Sequence, residues 1–167
     1  MPDYQPHLAA PTRVLLLTEG TPRGGVSTML AALQHALQAQ GFALQQVNAR
    51  QYPLWAALRA AWRCHTLLAS TNFGPAYLGV VLRLLTRRRL LVWVHGPLTE
   101  VLEQAATSAP KRWLLRRVYA HVDRFICVSH SVQTALAVFA GAQALARSQV
   151  IGNAIAPASA APPAPSR

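Results

Sequence analysis

Carboxylates are scarce in this sequence: five Asp and Glu stand against sixteen Lys and Arg in 167 residues, a formal charge of +11. No Asp-x-Asp pair is present to hold a divalent ion against a diphosphate, which disfavours sugar transfer of the metal-dependent kind. Glu100 and Glu103 read as part of a solvated helix face. Cysteine is rarer still. Cys64 and Cys127 lie far apart among apolar residues, so they read as two buried thiols rather than a disulfide or metal ligands. His7, His35, His65 and His121 show no metal-ligand spacing, and no metal site is expected. The chain also lacks a basic start followed by an apolar run, and any uninterrupted apolar stretch of about 18 residues. These absences lead to the expectation of a cytoplasmic protein, with the inner membrane face as the alternative location.

What is present describes a packed domain. Apolar residues make up 52% and charged residues 13%, the reverse of the balance that disorder needs. The excess positive charge draws the chain toward phosphorylated substrates, polyanions or an anionic membrane face. Two basic groups are dense, Arg87 to Arg89 and Lys111 to Arg117, and aromatics do not interleave with them as a single-strand platform requires. No nucleic-acid partner is expected. The helix from Lys111 to Arg117, with Trp113 and Tyr119 beside its charges, is where peripheral membrane contact would occur, though an ordinary solvated helix accounts for it.

Along the chain, short apolar runs alternate with helical periodicity. Arg13 to Thr18 reads as a buried strand that breaks into Gly20, Pro22, Gly24 and Gly25; Val26, Met29, Leu30, Leu33 and Leu37 follow at helical spacing, and Gly41 is placed to end that helix. Further strands are expected at Leu44 to Val47, Cys64 to Ala69, Leu90 to Val94, Arg124 to Val128 and Gln149 to Ile151. Helices are expected between them: Leu54 to Trp62, Pro75 to Leu85, Leu98 to Gln104, one starting at Ser108 and Pro110, and Ser131 to Ala140. In the helix after Ser108, Leu114, Leu115, Val118 and Val122 form the expected buried stripe. The pattern predicts an α/β fold, a Rossmann-like parallel sheet with helices on both faces. Residues 1–12 read as a flexible start, 13–155 as the domain and 156–167 as a disordered Ala/Pro tail.

In such a sheet ligands bind beyond the carboxyl ends of the strands. Gly24 and Gly25, Ser70 and Asn72, His95 and Gly96, Ser129 and His130, and Asn153 all follow strands and should share that edge. The loop from Gly20 to Ser27 matches the phosphate-loop pattern except at Val26, where the lysine that meets the terminal phosphates belongs; G-x-G-x-x-G fails on spacing. What remains is backbone able to approach a bound group at a helix start. His95 ends an apolar strand and is suited to donate to a phosphate or a sugar hydroxyl. His-Gly after a strand also suggests the oxyanion turn of α/β-hydrolases with Ser129 as nucleophile, but Cys127 and Ser131 stand where the G-x-S-x-G elbow needs glycines. Ser129 and Ser131 read better as helix caps.

Taken in order, LLLTEGTPRGGVSTMLAALQHALQAQGFALQQVNAR, LLVWVHG, HVDRFICVSHSVQTAL and VIGNAI resemble the N-terminal domain of family 4 glycosyltransferases, retaining enzymes of the GT-B type. The resemblance implies an acceptor-side domain facing a second domain that holds a nucleotide sugar as co-substrate, with no other cofactor. It implies that Gly24 and Gly25 lie near the donor diphosphate or transferred sugar, that His95 acts as the catalytic contact to sugar or phosphate, and that Ser129 shapes the cleft floor. The acceptor so implied is a glycan or lipid-linked sugar. Asn153-Ala154-Ile155-Ala156 replaces the Asn-Gly-Val-Asp usual in the family, and the E-x7-E domain is not in this sequence. The expectation is therefore a half that is incomplete alone, or a non-catalytic acceptor-binding subunit that pairs with a separately encoded donor-binding chain.

Overall fold

The computed structural model describes residues 11–19, 25–71, 73–96, 98–104 and 108–152. Strands β1 (Arg13–Thr18), β2 (Ala43–Asn48), β3 (Thr66–Ala69), β4 (Arg89–Val94), β5 (Arg124–Cys127) and β6 (Ser148–Val150) form one sheet in the order β2-β1-β3-β4-β5-β6. Every pairing is parallel. The connections carry α1 (Gly25–Ala39), α2 (Leu54–Trp62), α3 (Gly74–Thr86), α4 (Leu98–Gln104), α5 (Ala109–Ala120), α6 (His130–Ala140) and α7 (Ala142–Ala146). The expected Rossmann-like sheet is present, with boundaries moved by a residue or two. β3 starts at Thr66 rather than Cys64, because the Arg63 and Cys64 amides still bond back to Ala60 and Ala61 and finish α2. Helix α7 was not anticipated. It buries only Ala144 and so leaves no periodic stripe in the sequence.

Topology decides how the two faces are covered. The first crossover, through α1, moves to β2 on one side of β1, and all later crossovers progress toward the other side. Right-handed connections then put α1 on one face and the other long helices on the opposite one. The buried clusters divide accordingly. Leu15, Leu17, Leu67, Leu90, Val92 and Phe125 point into the large core beneath α2, α3, α5 and α6, whereas Val14, Leu16, Leu68 and Trp93 meet Leu30 of α1. Strand β1, paired on both sides, buries five of its six residues, as its unbroken RVLLLT run requires. Edge strand β2, paired only with β1, exposes Gln45 and Gln46. Gly41 closes α1 at φ +80°, as expected of a glycine there.

Helix α3 lies closest to the sheet. A Cβ on Gly79 would stand 2.7 Å from Leu90 Cδ1 and 3.3 Å from Leu17 Cδ1, so only glycine permits that approach. Helix α5 departs from expectation in its stripe. Leu115, Val118 and Tyr119 are buried, with Val122 just beyond, while Leu114 is exposed. The i, i+3, i+4, i+7 series that includes Tyr119 turns residue 114 about 100° away from the core. Tyr119 therefore packs on Phe125 and Phe139 instead of standing beside the surface charges. Ser108 occupies the N-cap of α5, but its hydroxyl makes no capping bond.

At the opposite edge from the strand ends, Asp123 ties three elements together. Its Oδ1 and Oδ2 accept from Arg83 Nη2 and Nε at 2.7 and 2.8 Å, and Oδ2 also accepts from the Leu90 amide at 2.8 Å. The Arg83 guanidinium, bonded in fork geometry, holds the Asp123 carboxyl below its ordinary value of 3.8, outweighing the effect of burial. A carboxyl with a depressed folded-state pKa contributes stability above its unfolded value and loses it as acid protonates the folded form. Asp123→Asn is expected to lower unfolding free energy by about 1–3 kcal/mol at neutral pH. In urea titrations the gap between variant and parent should narrow as pH falls below about 4.

Candidate functional site

Because all six strands are parallel, their carboxyl ends lie along one edge, where Glu19, Ser70, His95 and Ser129 follow β1, β3, β4 and β5. The direction of progression reverses at β1 and β3, the switch point at which such sheets open a crevice. Of the residues expected here, Gly24, Asn72 and Asn153 lie outside the described residues, and Gly25 is the first residue of α1. The others are placed by the strands.

Strand register determines what His95 can do. Ala69, the last residue of β3, pairs with Val92, so β4 runs on through Trp93 and Val94 beside β5 and carries His95 past its neighbour. Trp93 and His95, two apart on extended backbone, share the face toward α1, and their rings lie 4.6 Å apart at an interplanar angle of 35°. Trp93 Nε1 and His95 Nε2 are buried without a hydrogen-bond partner, and so is Thr71 Oγ1 just beyond β3. Burial holds the His95 pKa below the usual histidine value, against the pull of the nearby Ser70 backbone, so the ring is neutral at pH 7. Buried polar atoms are nearly always bonded in proteins, and a group of three at one strand edge is what a hydroxyl-rich ligand would satisfy. Trp93 and Thr71 were missed in the sequence. The signal was there in W-V-H, since alternate strand residues face the same way.

Glu19 was also missed. It directly follows β1, and its carboxylate approaches the start of α3 so closely that a Cβ on Gly74 would be 3.1 Å from Glu19 Cδ. The helix N-terminus favours a negative charge there. Arg50, after β2, donates to Glu19 Oε1 from Nε at 2.9 Å and Nη2 at 2.7 Å. This ion pair bridges the ends of β1 and β2 next to the switch point.

Beyond β5 the groups have structural employment. Ser129 is the N-cap of α6, its Oγ accepting from the Val132 amide at 3.3 Å and lying 2.8 Å from Ser131 Oγ. His130 is exposed at the first position of α6, Gly96 is partly buried after His95, and Ser70 is buried, donating its amide to the Leu17 carbonyl. The Ser70 backbone thus extends the pairing of β3 with β1 to the strand ends. Cys64 and Cys127 are free and buried; burial pushes the Cys127 thiol up to about 11, which removes it as a nucleophile near neutrality. Among the described residues no three His, Cys, Asp or Glu side chains gather as a metal site would require.

Residues 44–159, more than half of the chain, match the model of Glycosyltransferase Family 4. The chain belongs to that family. The match starts at β2 and does not include β1 or the glycine loop, although those segments carry part of the sequence resemblance. Among curated proteins no match was found. Solved structures of an α-glucosyltransferase share the fold: a complex with UDP and a 13-mer DNA (TM-score 0.55, 12% identity, 77% of this chain and 40% of that one), and a complex with UDP (0.53, 11%, 77% and 38%). A complex with UDP-glucose and abasic-site DNA aligns at TM-score 0.50, with 12% identity over 71% of this chain and 36% of that one. This family 4 domain thus spans about two fifths of the length of these neighbours. Two of the neighbours hold DNA, a partner class that the sequence did not lead us to expect for this chain.

Two predictions arise from this family 4 edge. A histidine with a depressed folded-state pKa leaves the unfolded chain binding more protons, so stability is lost as pH falls through about 6.5. Unfolding free energy of the parent should therefore drop from pH 7 to pH 5 more steeply than that of His95→Gln, as read by denaturant titration at each pH. Ser129→Ala should cost about 1 kcal/mol in the same measurement, the usual loss for a serine N-cap.

Proposed function

We propose that this family 4 domain forms the acceptor-side wall of a cleft in which a glycosyl group moves from a nucleotide sugar to an acceptor, with retention of configuration and without a metal. The observation that supports the reading most directly is the set of unpartnered atoms Thr71 Oγ1, Trp93 Nε1 and His95 Nε2 at the ends of β3 and β4. Sugar hydroxyls both donate and accept, so they can satisfy an indole N-H, a neutral imidazole nitrogen and a hydroxyl together. His95 is the residue we assign to contact with the transferred sugar, beside the Glu19 and Arg50 pair at the switch point.

Charge is divided unevenly in this scheme. The departing nucleoside diphosphate develops negative charge that must be met by fixed donors or cations. Here the imidazole is neutral and Arg50 is engaged by Glu19. The cations that receive the diphosphate are then assigned to the donor-binding side, and the described residues of this edge supply recognition more than leaving-group stabilisation. The three neighbours, each with roughly three fifths of its length outside the aligned part, are consistent with such a division.

The test is a transfer assay with a panel of nucleotide sugars and glycan or lipid-linked acceptors, run on the chain alone and on the chain co-expressed with a donor-binding domain of E-x7-E type. We expect no turnover alone and turnover when paired. In the paired form His95→Ala should lower kcat/KM by about 100-fold, the scale of removing one contact to developing charge or a reacting group, while Ser129→Ala should change it only a few-fold. Robust turnover by the isolated chain would overturn the half-site reading. Unchanged rates in His95→Ala would remove His95 from the cleft.

A further inference from the structure

The outer surface of the helical layer, away from the strand-end crevice, carries the largest apolar side chains that the fold leaves uncovered. Trp55 and Trp62 of α2 are 68% and 62% exposed. Seven residues apart, they lie on one side of the helix, roughly 10 Å from each other along its axis. With Leu58, Arg59 and Arg63 they line a shallow hollow of about 360 Å³. Trp62 also borders a second hollow with Leu85, Arg87 and Arg88 at the end of α3, and Arg88 Nη2 donates to the Trp62 carbonyl at 2.9 Å. Leu84 and Leu85, each 55% exposed, extend the stripe toward Arg89.

Charge on this stripe has one sign. Arg59, Arg63, Arg87, Arg88 and Arg89 lie along it, and the carboxylate bordering it, Asp123, is held by Arg83. Arg87 closes α3 in the left-handed conformation at φ 57°, where a glycine would be unstrained, so a long cation sits at a position the backbone would give to glycine. Tryptophan and leucine at the level of arginine heads is the arrangement by which a protein lies on a bilayer: the rings seat at the headgroup boundary, the aliphatic chains reach below it, and the guanidinium groups meet phosphates. Exposed leucines are of no use for base stacking, which favours lipid over nucleic acid. Trp113 of α5, the helix that the sequence singled out, is exposed with the Arg117 guanidinium 5.2 Å from its ring, and it lines neither hollow.

We infer that the stripe formed by α2 and the end of α3 is a docking surface for an anionic lipid bilayer. It does not depend on the transfer reading. No described helix is long and apolar enough to cross a membrane, so the contact is peripheral. Tyr52, Leu54 and Trp55 begin the stripe just after β2, two to five residues beyond the Arg50 that pairs with Glu19.

Flotation of the chain with phosphatidylcholine vesicles, with and without phosphatidylglycerol, tests it. Binding is expected to the mixed vesicles and not to the neutral ones, with a blue shift of tryptophan emission. The pair Trp55→Gln and Trp62→Gln should abolish the blue shift and weaken partitioning at least tenfold. The triple change Arg59→Gln, Arg63→Gln and Arg87→Gln should weaken it about fivefold per arginine. Trp113→Gln should leave partitioning unchanged, and circular dichroism and thermal unfolding of each variant establish that it is folded. Equal binding to neutral vesicles, retention of binding in both the tryptophan and the arginine variants, or loss in Trp113→Gln instead would overturn the assignment. So would binding of duplex DNA, lost in the same variants, by a chain that ignores vesicles.

Discussion

Parallel pairing of the strands is the constraint on which the rest depends. A strand whose neighbours all run its own way must be re-entered from the same end, so each connection climbs back across a face as a helix. Every segment that leaves a strand then begins at one edge of the sheet. The crossover hand distributes the helices, and the reversal after β2 sends α2 over β1 to the face it shares with α3, α5 and α6. From that single rule come a deep core on one side, a thinner one beneath α1 on the other, and a topological switch point at β1/β3.

The two edges of the sheet have different chemical characters. At the strand ends, polar atoms are buried without partners and the local ion pair is neutral overall. At the other edge, Asp123 satisfies Arg83 and the Leu90 amide together, and Arg147 donates to the Val122 and Ala120 carbonyls at 2.7 and 3.1 Å. There these hydrogen bonds serve cohesion, although Arg88 Nε on the same edge is buried without a partner.

Much of this was legible in the chain. Strands β1 and β4 were readable because burial on both faces demands unbroken apolar runs, and α2 and α6 because their periodicity is clean. His95 was legible as an interruption of such a run. Glu19 was not, since one glutamate before a glycine loop carries no periodic signal, and its meeting with Arg50 and Gly74 spans 31 and 55 residues of sequence. Trp93 looked like core because a tryptophan in LLVWV is apolar by type; only its ring contact with His95 and its unpartnered nitrogen show it as part of the edge. Tyr119 was misplaced for the converse reason, as its neighbours in sequence are charged while its helix phase points inward.

What the amino-acid sequence determined by itself is the alternation of strand and helix, the scarcity of carboxylates and the family to which the chain belongs, since periodicity, composition and motif order are local properties read along one dimension. Tertiary structure decided which residues meet. Sheet order set β4 beyond the end of β3, helix phase sent Leu114 outward and Tyr119 inward, and packing left Trp55 and Trp62 uncovered. Those outcomes depend on contacts between residues far apart in the chain, which no local preference encodes.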